Sequence, residues 1–145
     1  MAVCRFDPAA ALPDWFNMSG FYSITRSKEE LTIVCREALV VSGTTCENGW
    51  RCFKIQGVLD FSEIGIIFSL TQPLAENGIS VFVMSTFDTD YFMVKEKDLA
   101  KTIDALTAAG HRAITEDRNQ MSEDRNWNSE GGMGKSEEGK KKSEF

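Results

Sequence analysis

The order of strand and helix patterns in residues 50–115 constrains the fold of this chain more than any other feature. Apolar residues alternate with polar ones over residues 50–56, as in a half-buried strand, and recur at helical spacing over two longer segments. The segments are, in order, a strand at 50–56, a helix at 61–77, strands at 79–85 and 91–95, a helix at 98–109 and a weak strand at 111–115. This βαββαβ order predicts an α+β, ferredoxin-like fold with both helices on one face of an antiparallel sheet.

Both helix patterns have recognisable ends and apolar faces. Asp60 and Glu63 have the spacing of a capping box at the start of the first helix, and Gly78 and Gly110 stand where the two helices should end. We expect the helices to pack on the sheet through apolar stripes. The stripes are Ile64, Ile67, Phe68, Leu70 and Leu74 in the first helix, and Leu99, Ile103 and Leu106 in the second.

The two ends of the chain differ from this central pattern. Residues 1–48 contain strand patterns at 2–6, 21–25 and 31–36 but no convincing long helix, so we expect them to pack on the same sheet. Residues 116–145 contain eight acidic and six basic residues and few large apolar ones. Such a segment buries too little apolar surface to offset its ordering entropy, which predicts a disordered tail.

The net charge of the chain excludes several partners. The charge is -6 and the isoelectric point is near 4.8, whereas nonspecific binding to nucleic acid or to anionic membranes requires a clustered positive field. No apolar run approaches the ~20 residues of a membrane-spanning helix. Asp7 and Pro8 stand where a signal peptide has its apolar segment, so we expect a cytoplasmic protein.

The cysteines and the single histidine give little sign of a metal site or of catalysis. Cys4, Cys35, Cys46 and Cys52 have no C-x-x-C spacing, and one histidine cannot complete the usual Cys/His zinc sets. We expect free thiols that pack as small apolar side chains, with a redox or metal role as the alternative. No cofactor is expected, and the lack of a nucleophile–base pattern makes an enzyme the least favoured class.

Three runs of the sequence carry a family resemblance. They are VCRFDPAAALPDW, FYSITRSKEELTIVC and GWRCFKIQGVLDFSEIGIIFSLTQPLAENGISVFVMSTFDTDYFMVKEKDL. These runs closely resemble the small amino-acid-binding ACT-domain proteins, and more narrowly the CASTOR-type ACT family, over about residues 3–112. The resemblance implies two side-by-side ACT-like units, an abbreviated one in residues 1–48 and a second in residues 49–115, with the tail outside both.

The resemblance also implies a ligand site. The family's site lies between paired ACT units, on a strand-to-helix turn and on the loop before the third strand, and a strand segment of the other unit faces it. In this chain the corresponding residues are Asp60, Glu63, Ile64, Gly65, Thr86, Phe87 and Asp90, with Ser23 and Ile24 on the facing segment.

The chemistry of these residue types suits a free amino acid. Amide groups of Glu63, Ile64 and Gly65, at the predicted helix start, would receive the ligand carboxylate. Asp90 would accept an ammonium or guanidinium group, Thr86 would add a hydroxyl, and Phe87 would form an apolar wall. The alternatives are structural, because Glu63 also fits a cap, Asp90 a turn and Phe87 the core. Since Glu63 would repel a second carboxylate, a cationic or neutral amino acid is favoured.

Two functional hypotheses follow. The first is a noncatalytic regulatory sensor of a free amino acid, and the second is an ACT-fold interaction protein that has lost its ligand. A regulated protein partner or a homodimer is compatible with both. We expect a homodimer because ACT-like sheets often pair edge to edge and residues 2–6 would form a short edge strand.

Overall fold

The computed structural model describes residues 1–57, 59 and 62–114. Its elements are, in chain order, β1 (Ala2–Phe6), β2 (Ser23–Arg26), β3 (Leu31–Cys35), β4 (Cys46–Glu47), β5 (Trp50–Lys54), α1 (Ile66–Glu76), β6 (Phe82–Ser85), β7 (Asp90–Lys95) and α2 (Leu99–Ala108). Short 3-10 helices at Glu37–Leu39 and Glu96–Asp98 precede β4 and α2. No helix in this part of the chain is both long enough and apolar enough to span a bilayer.

The first sheet is antiparallel, with the strand order β2-β3-β1-β4. β1 is an interior strand, because it pairs with β3 along its whole length and with β4 at Val3 and Cys4. The prediction that residues 2–6 form an edge strand is therefore wrong. One face of this sheet is buried together with Phe16, and its members are Ala2, Cys4, Leu31, Ile33 and Cys35.

The second sheet has the order β5-β7-β6, and all its neighbouring strands are antiparallel. Leu74 of α1 and Leu106 of α2 pack with Phe92 and Val94 of β7 in one buried cluster, which places both helices on the same face. The Phe53 and Phe92 rings of the paired strands stack with centroids 4.8 Å apart. The predicted α+β, ferredoxin-like fold is confirmed.

The two sheets meet along residues 46–54. Trp50 donates its amide to the Met1 carbonyl oxygen at 3.1 Å, and the Met1 amino group donates to the Trp50 carbonyl oxygen at 2.6 Å. On the other side of the same segment, the Glu96 amide donates to the Gly49 carbonyl oxygen at 2.7 Å. One continuous stretch of chain thus pairs first with β1 and then with β7.

An aromatic contact adds a second link between the sheets. The Phe21 ring, just before β2, stacks on the Tyr91 ring of β7 with centroids 4.4 Å apart. The first 48 residues therefore contact the second sheet, but they form a separate sheet of their own, so the prediction that they pack on the same sheet is wrong.

The first helix begins later than predicted. It starts at Ile66 instead of residue 61, because Gly65 adopts a left-handed conformation with φ +87° and interrupts the helical path. Glu63 lies in the preceding loop, so its predicted place in the first helical turn is wrong. Asp60 lies outside the described residues.

The apolar stripes also differ from those predicted. Ile64 is 97% exposed and Phe68 is 66% exposed, so neither packs on the sheet, whereas Ile67 contacts the core. Leu70 and Leu74, further along the same predicted face, are buried as predicted. In α2, Leu106 is buried as predicted, but Ile103 remains exposed.

The predicted closing strand is not formed by its described part. Residues 111–114 belong to no strand, and Thr115 lies outside the described residues. The predicted tail at residues 116–145 also lies outside them.

Candidate functional site

A cleft of about 410 Å³ lies between the start of α1 and the turn that joins β6 to β7. It brings together five of the residues predicted for the site. These are Glu63, Gly65, Thr86, Phe87 and Asp90. The other lining residues are Leu59, Ile66, Ile67, Phe68, Ser85, Asp88 and Thr89.

Three further predicted residues do not line this cleft. Ile64 points into solvent, with 97% of its surface exposed. Ser23 and Ile24 lie on β2 of the first sheet and are absent from the cleft wall. The structure thus assembles the turn and loop of the predicted site without its facing segment.

The first wall of the cleft is the amino-terminal end of α1. Gly65 caps this helix without a side-chain hydrogen bond, and the first amide to reach back to it is that of Ser69, at 2.8 Å from the Gly65 carbonyl oxygen. The amides of Ile66, Ile67 and Phe68 therefore have no acceptor within the helix. They replace the Glu63, Ile64 and Gly65 amides as the group that can receive an anion, and the helix dipole favours the same charge.

The second wall is the β6–β7 turn, which threonines hold closed. The Thr86 amide and hydroxyl both donate to the Thr89 carbonyl oxygen, at 2.9 Å and 2.8 Å, and the Thr89 amide donates to the Thr86 hydroxyl oxygen at 3.3 Å. The hydroxyl proton of Thr86 is therefore used by the turn, and this residue positions the wall. Its predicted role as a donor to the ligand is not supported by this geometry.

Backbone hydrogen bonds tie the turn to the chain that leads into α1. The Ile55 amide donates to the Asp90 carbonyl oxygen at 2.9 Å, and the Leu59 amide donates to the Asp88 carbonyl oxygen at 2.7 Å. The Thr89 hydroxyl is buried and donates to the Ile55 carbonyl oxygen at 2.7 Å. Thr89 is not among the residues predicted from the sequence, although a threonine three residues after Thr86 has the spacing of a side-chain-stabilised turn.

The cleft contains carboxylates as well as the helix end. Asp88 and Asp90 lie on the β6–β7 turn and Glu63 lies just before α1, and no lysine or arginine is among the described lining residues. Within the described part of the chain, the carboxylates of Glu63 and Asp90 have no hydrogen-bond or ion-pair partner. The cleft therefore pairs an anion-binding helix end with an acidic turn.

Apolar side chains surround the opening. Phe87 is 78% exposed and Phe68 is 66% exposed, and both line the cleft, while the exposed Ile64 lies two residues before α1. The alternative that Phe87 belongs to the core is therefore wrong, and its ring lines the cleft.

A second cleft, of about 380 Å³, runs along β5 and was not anticipated from the sequence. Its wall contains Leu70, Leu106 and Ile114, together with the cationic Lys54 and Arg112. None of its described lining residues is an aspartate or glutamate, so it offers no carboxylate to an ammonium group. The first cleft is the better candidate for an amino acid.

Comparisons with known proteins give the same assignment of fold. A family model described as an ACT domain matches residues 45–108, and a second, described as an N-terminal domain, matches residues 1–42. The crystal structure of a protein from Agrobacterium tumefaciens is 43% identical, with a TM-score of 0.76, covering 81% of this chain and 87% of that one. The human protein named cytosolic arginine sensor for mTORC1 subunit 1 is 38% identical over 90 residues, covering 61% of this chain. The chain belongs to the CASTOR-type ACT family.

Two further comparisons mark the extent of this membership. The matched region spans 27% of the length of the human arginine sensor, so it corresponds to about a quarter of that protein. The human putative protein CASTOR3P is 33% identical over 92 residues, which are 54% of this chain and 56% of that protein. A Vibrio cholerae protein of unknown function is 19% identical with a TM-score of 0.58, covering 76% of this chain and 84% of that one, and shares the fold alone. The ACT match at residues 45–108 includes both walls of the first cleft.

Proposed function

We propose that this protein is a noncatalytic sensor that binds a free cationic amino acid in the cleft between α1 and the β6–β7 turn. The observation that carries the proposal is that unbonded helix amides and three carboxylates line the same cleft. A free amino acid presents a carboxylate at one end and, when its side chain is basic, two cationic groups elsewhere. The cleft has one end suited to the anion and three carboxylates suited to the cations.

The pose follows from these walls. The ligand carboxylate accepts hydrogen bonds from the amides of Ile66, Ile67 and Phe68, which have no helical acceptor. The cationic groups contact Asp90 and its neighbours Glu63 and Asp88. An acidic amino acid would bring a second carboxylate against these three, so it is disfavoured.

Arginine is the first ligand to test. Its guanidinium group forms paired hydrogen bonds with carboxylates, and a curated relative carries the name of an arginine sensor. The chain spans about a quarter of that relative, so its ligand and its partners here are matters for experiment.

A regulatory role is supported by the composition of the cleft. Its described lining residues include no histidine, cysteine or lysine, and no carboxylate among them is hydrogen-bonded to a serine or threonine hydroxyl that it could activate. Binding without chemistry is the behaviour of a sensor, and we propose that ligand binding changes the surface presented to a regulated protein partner.

A thermal-shift series against the twenty common amino acids and citrulline tests the proposal. A ligand at 100 times its dissociation constant stabilises the folded chain by about 2.7 kcal/mol. We expect arginine or lysine to raise the melting temperature, and citrulline, the neutral isostere of arginine, to raise it much less. A larger shift with glutamate, or no shift with any amino acid, would contradict the proposal, and the second result would favour an interaction protein without a ligand.

A further inference from the structure

Three of the four cysteines lie together on one face of the first sheet. Cys4 on β1 is directly opposite Cys46 on β4, and Cys35 on β3 is opposite Ala2, two residues along β1. The thiols of Cys35 and Cys46 lie close enough to Cys4 to contribute to the raised pKa of its thiol. The sequence left a redox role open for these residues, and the amino-acid cleft uses none of them.

The pairing pattern determines which two sulfur atoms can bond. The Arg5 amide donates to the Thr45 carbonyl oxygen at 2.9 Å, so the neighbouring Cys4–Cys46 pair is a non-hydrogen-bonded pair of the antiparallel ladder. Such pairs have Cα atoms about 4.5 Å apart and the closest side chains. That separation lies within the ~4.4–6.8 Å range of disulfides. Cys35 is a diagonal neighbour of Cys4, and diagonal pairs are about 7–8 Å apart.

Exposure gives the two cysteines different roles. Cys4 is fully buried, whereas Cys46 is partly exposed and donates its thiol hydrogen to Asn48 Oδ1 at 3.3 Å. A dissolved oxidant therefore reaches Cys46 first. Burial, with smaller contributions from Cys35 and Cys46, raises the pKa of the Cys4 thiol to about 12, so Cys4 stays protonated and is not the residue that reacts first.

We propose that Cys46 and Cys4 form a peroxide-sensitive oxidation site, in which Cys46 reacts with the oxidant and Cys4 resolves the product to a disulfide. In the first step hydrogen peroxide transfers one oxygen to the Cys46 sulfur, which becomes a sulfenic acid, and one water leaves. In the second step the Cys4 sulfur attacks the Cys46 sulfur and the S–O bond breaks. The hydroxyl group leaves with the Cys4 proton as a second water. The two thiols lose two electrons in total, and peroxide is reduced to two waters.

The bond would join two neighbouring strands of the first sheet, next to its junction with the second sheet. β4 continues into β5 through the segment that also pairs with Met1 and Glu96. A Cys4–Cys46 disulfide would therefore anchor β1 to the strand that leads into the ACT unit, and would close a covalent loop through β2 and β3.

Peptide mapping of the full chain tests the site directly. The folded protein is treated with hydrogen peroxide, alkylated with iodoacetamide and digested with trypsin without reduction. Because lysine or arginine separates all four cysteines, each lies on its own peptide, namely residues 1–5, 29–36, 37–51 and 52–54. We expect a linked product of peptides 1–5 and 37–51, lighter by about 2 Da than the sum of the two thiol peptides.

Variants separate this reaction from random oxidation. Cys46→Ser changes the partly exposed residue and should abolish the linked product, whereas Cys52→Ser, on the second sheet, should leave it unchanged. In Cys4→Ala the sulfenic acid on Cys46 should persist, so dimedone should label the peptide of residues 37–51. If Cys4→Ala does not fold, the loss of the linked product in a folded Cys46→Ser chain still tests the proposal. The proposal is overturned if all four thiols are alkylated after treatment, if the linkage involves residue 35 or 52, or if Cys46 is found only as sulfinic acid.

Discussion

The hydroxyl of Thr89 donates a hydrogen bond of 2.7 Å to the carbonyl oxygen of Ile55, 34 positions earlier in the chain. Both residues are buried, with 6% and 1% of their surfaces exposed. This bond joins the β6–β7 turn to the end of β5, from which the chain leads to α1. The two walls of the proposed binding cleft are thus fixed relative to each other before a ligand arrives.

Removing this bond should loosen both the fold and the cleft. Thr89→Val keeps the side-chain shape but leaves the buried Ile55 carbonyl oxygen without its partner, which typically costs about 1–3 kcal/mol. We expect a loss of that size in urea denaturation, together with weaker arginine binding. Thr107→Val, which removes an exposed hydroxyl that donates to the Ile103 carbonyl oxygen, is the matched control and should change stability little. Equal losses in the two variants would count against the role of Thr89.

Asp90 should supply most of the recognition of the cationic group. Asp90→Ala would leave a bound positive charge without its main partner, a change that typically costs about 2–5 kcal/mol of binding free energy. Asp90→Asn keeps the shape and reports how much of that loss is due to charge. Isothermal titration with arginine measures both variants. Asp104→Asn, an exposed carboxylate on α2, should bind like the parent, and so should His111→Ala. Unchanged affinity in Asp90→Ala would place the site elsewhere.

Substitutions at Gly65 and Gly78 can distinguish the effect of backbone strain from the effect of blocking the cleft. Gly65 and Gly78 both have positive φ, +87° and +68°, and no atom lies within 4 Å of a Cβ built on either residue. Alanine at either position should therefore lower the free energy of unfolding by a similar amount, about 1–2 kcal/mol, because of the backbone conformation alone. Only Gly65 lines the cleft, so Gly65→Val should also weaken arginine binding, while Gly78→Val should not. Equal affinities for the two valine variants would argue against a ligand at the start of α1.

The Cys52 thiol should make the fold sensitive to alkaline pH. Burial raises its pKa from 9.0 to about 11. Between these values the unfolded chain loses the thiol proton while the folded chain retains it, so the free energy of unfolding should fall as pH rises from 9 to 11. Urea denaturation should show a smaller fall for Cys52→Ala over this interval, with the difference between the two proteins constant below pH 9. A difference that does not vary with pH would refute this assignment.

The exposed apolar side chain before α1 should contribute to self-association. Ile64 is 97% exposed and Val41 is 51% exposed, but only Ile64 lies beside the start of α1. If two copies associate through this end of the helix, then Ile64→Glu should shift the chain to the 16.2 kDa monomer. Val41→Glu should leave the association unchanged. Sedimentation velocity at micromolar concentration distinguishes these outcomes, and a parent protein that is monomeric throughout would exclude the dimer.

The central fold could be predicted from the sequence because each signal was local and repeated. Strand alternation and the helical spacing of Leu70, Leu74 and Leu106 indicate the same fold. Gly78 and Gly110 follow the two helices, as predicted. Segment order then leaves few topologies for the sheet. The interior position of β1 could not be predicted, because its partner β4 has only two residues and no strand pattern of its own.

The start of α1 shows why the site was harder to predict. Asp60 and Glu63 have capping-box spacing, but the left-handed Gly65 follows them and starts the helix anew. A glycine in sequence does not reveal the sign of its φ, so the pattern favoured the wrong set of amides. Thr86 shows a similar limit, because its hydroxyl could serve the ligand or the turn, and only the position of Thr89 decides between them.

The shared segment at residues 46–54 also limits how the molecule can move. Trp50 bonds to Met1 on one side, while Gly49 and Arg51 contact β7 and Glu96 on the other, so the chain has no free linker between its two sheets. The halves cannot swing like domains on a hinge, and residues 49–115 expressed alone would lose the strand that borders Trp50. Ligand binding in the cleft must therefore affect the rest of the protein through local changes at the cleft rim rather than through a change in the angle between the two sheets.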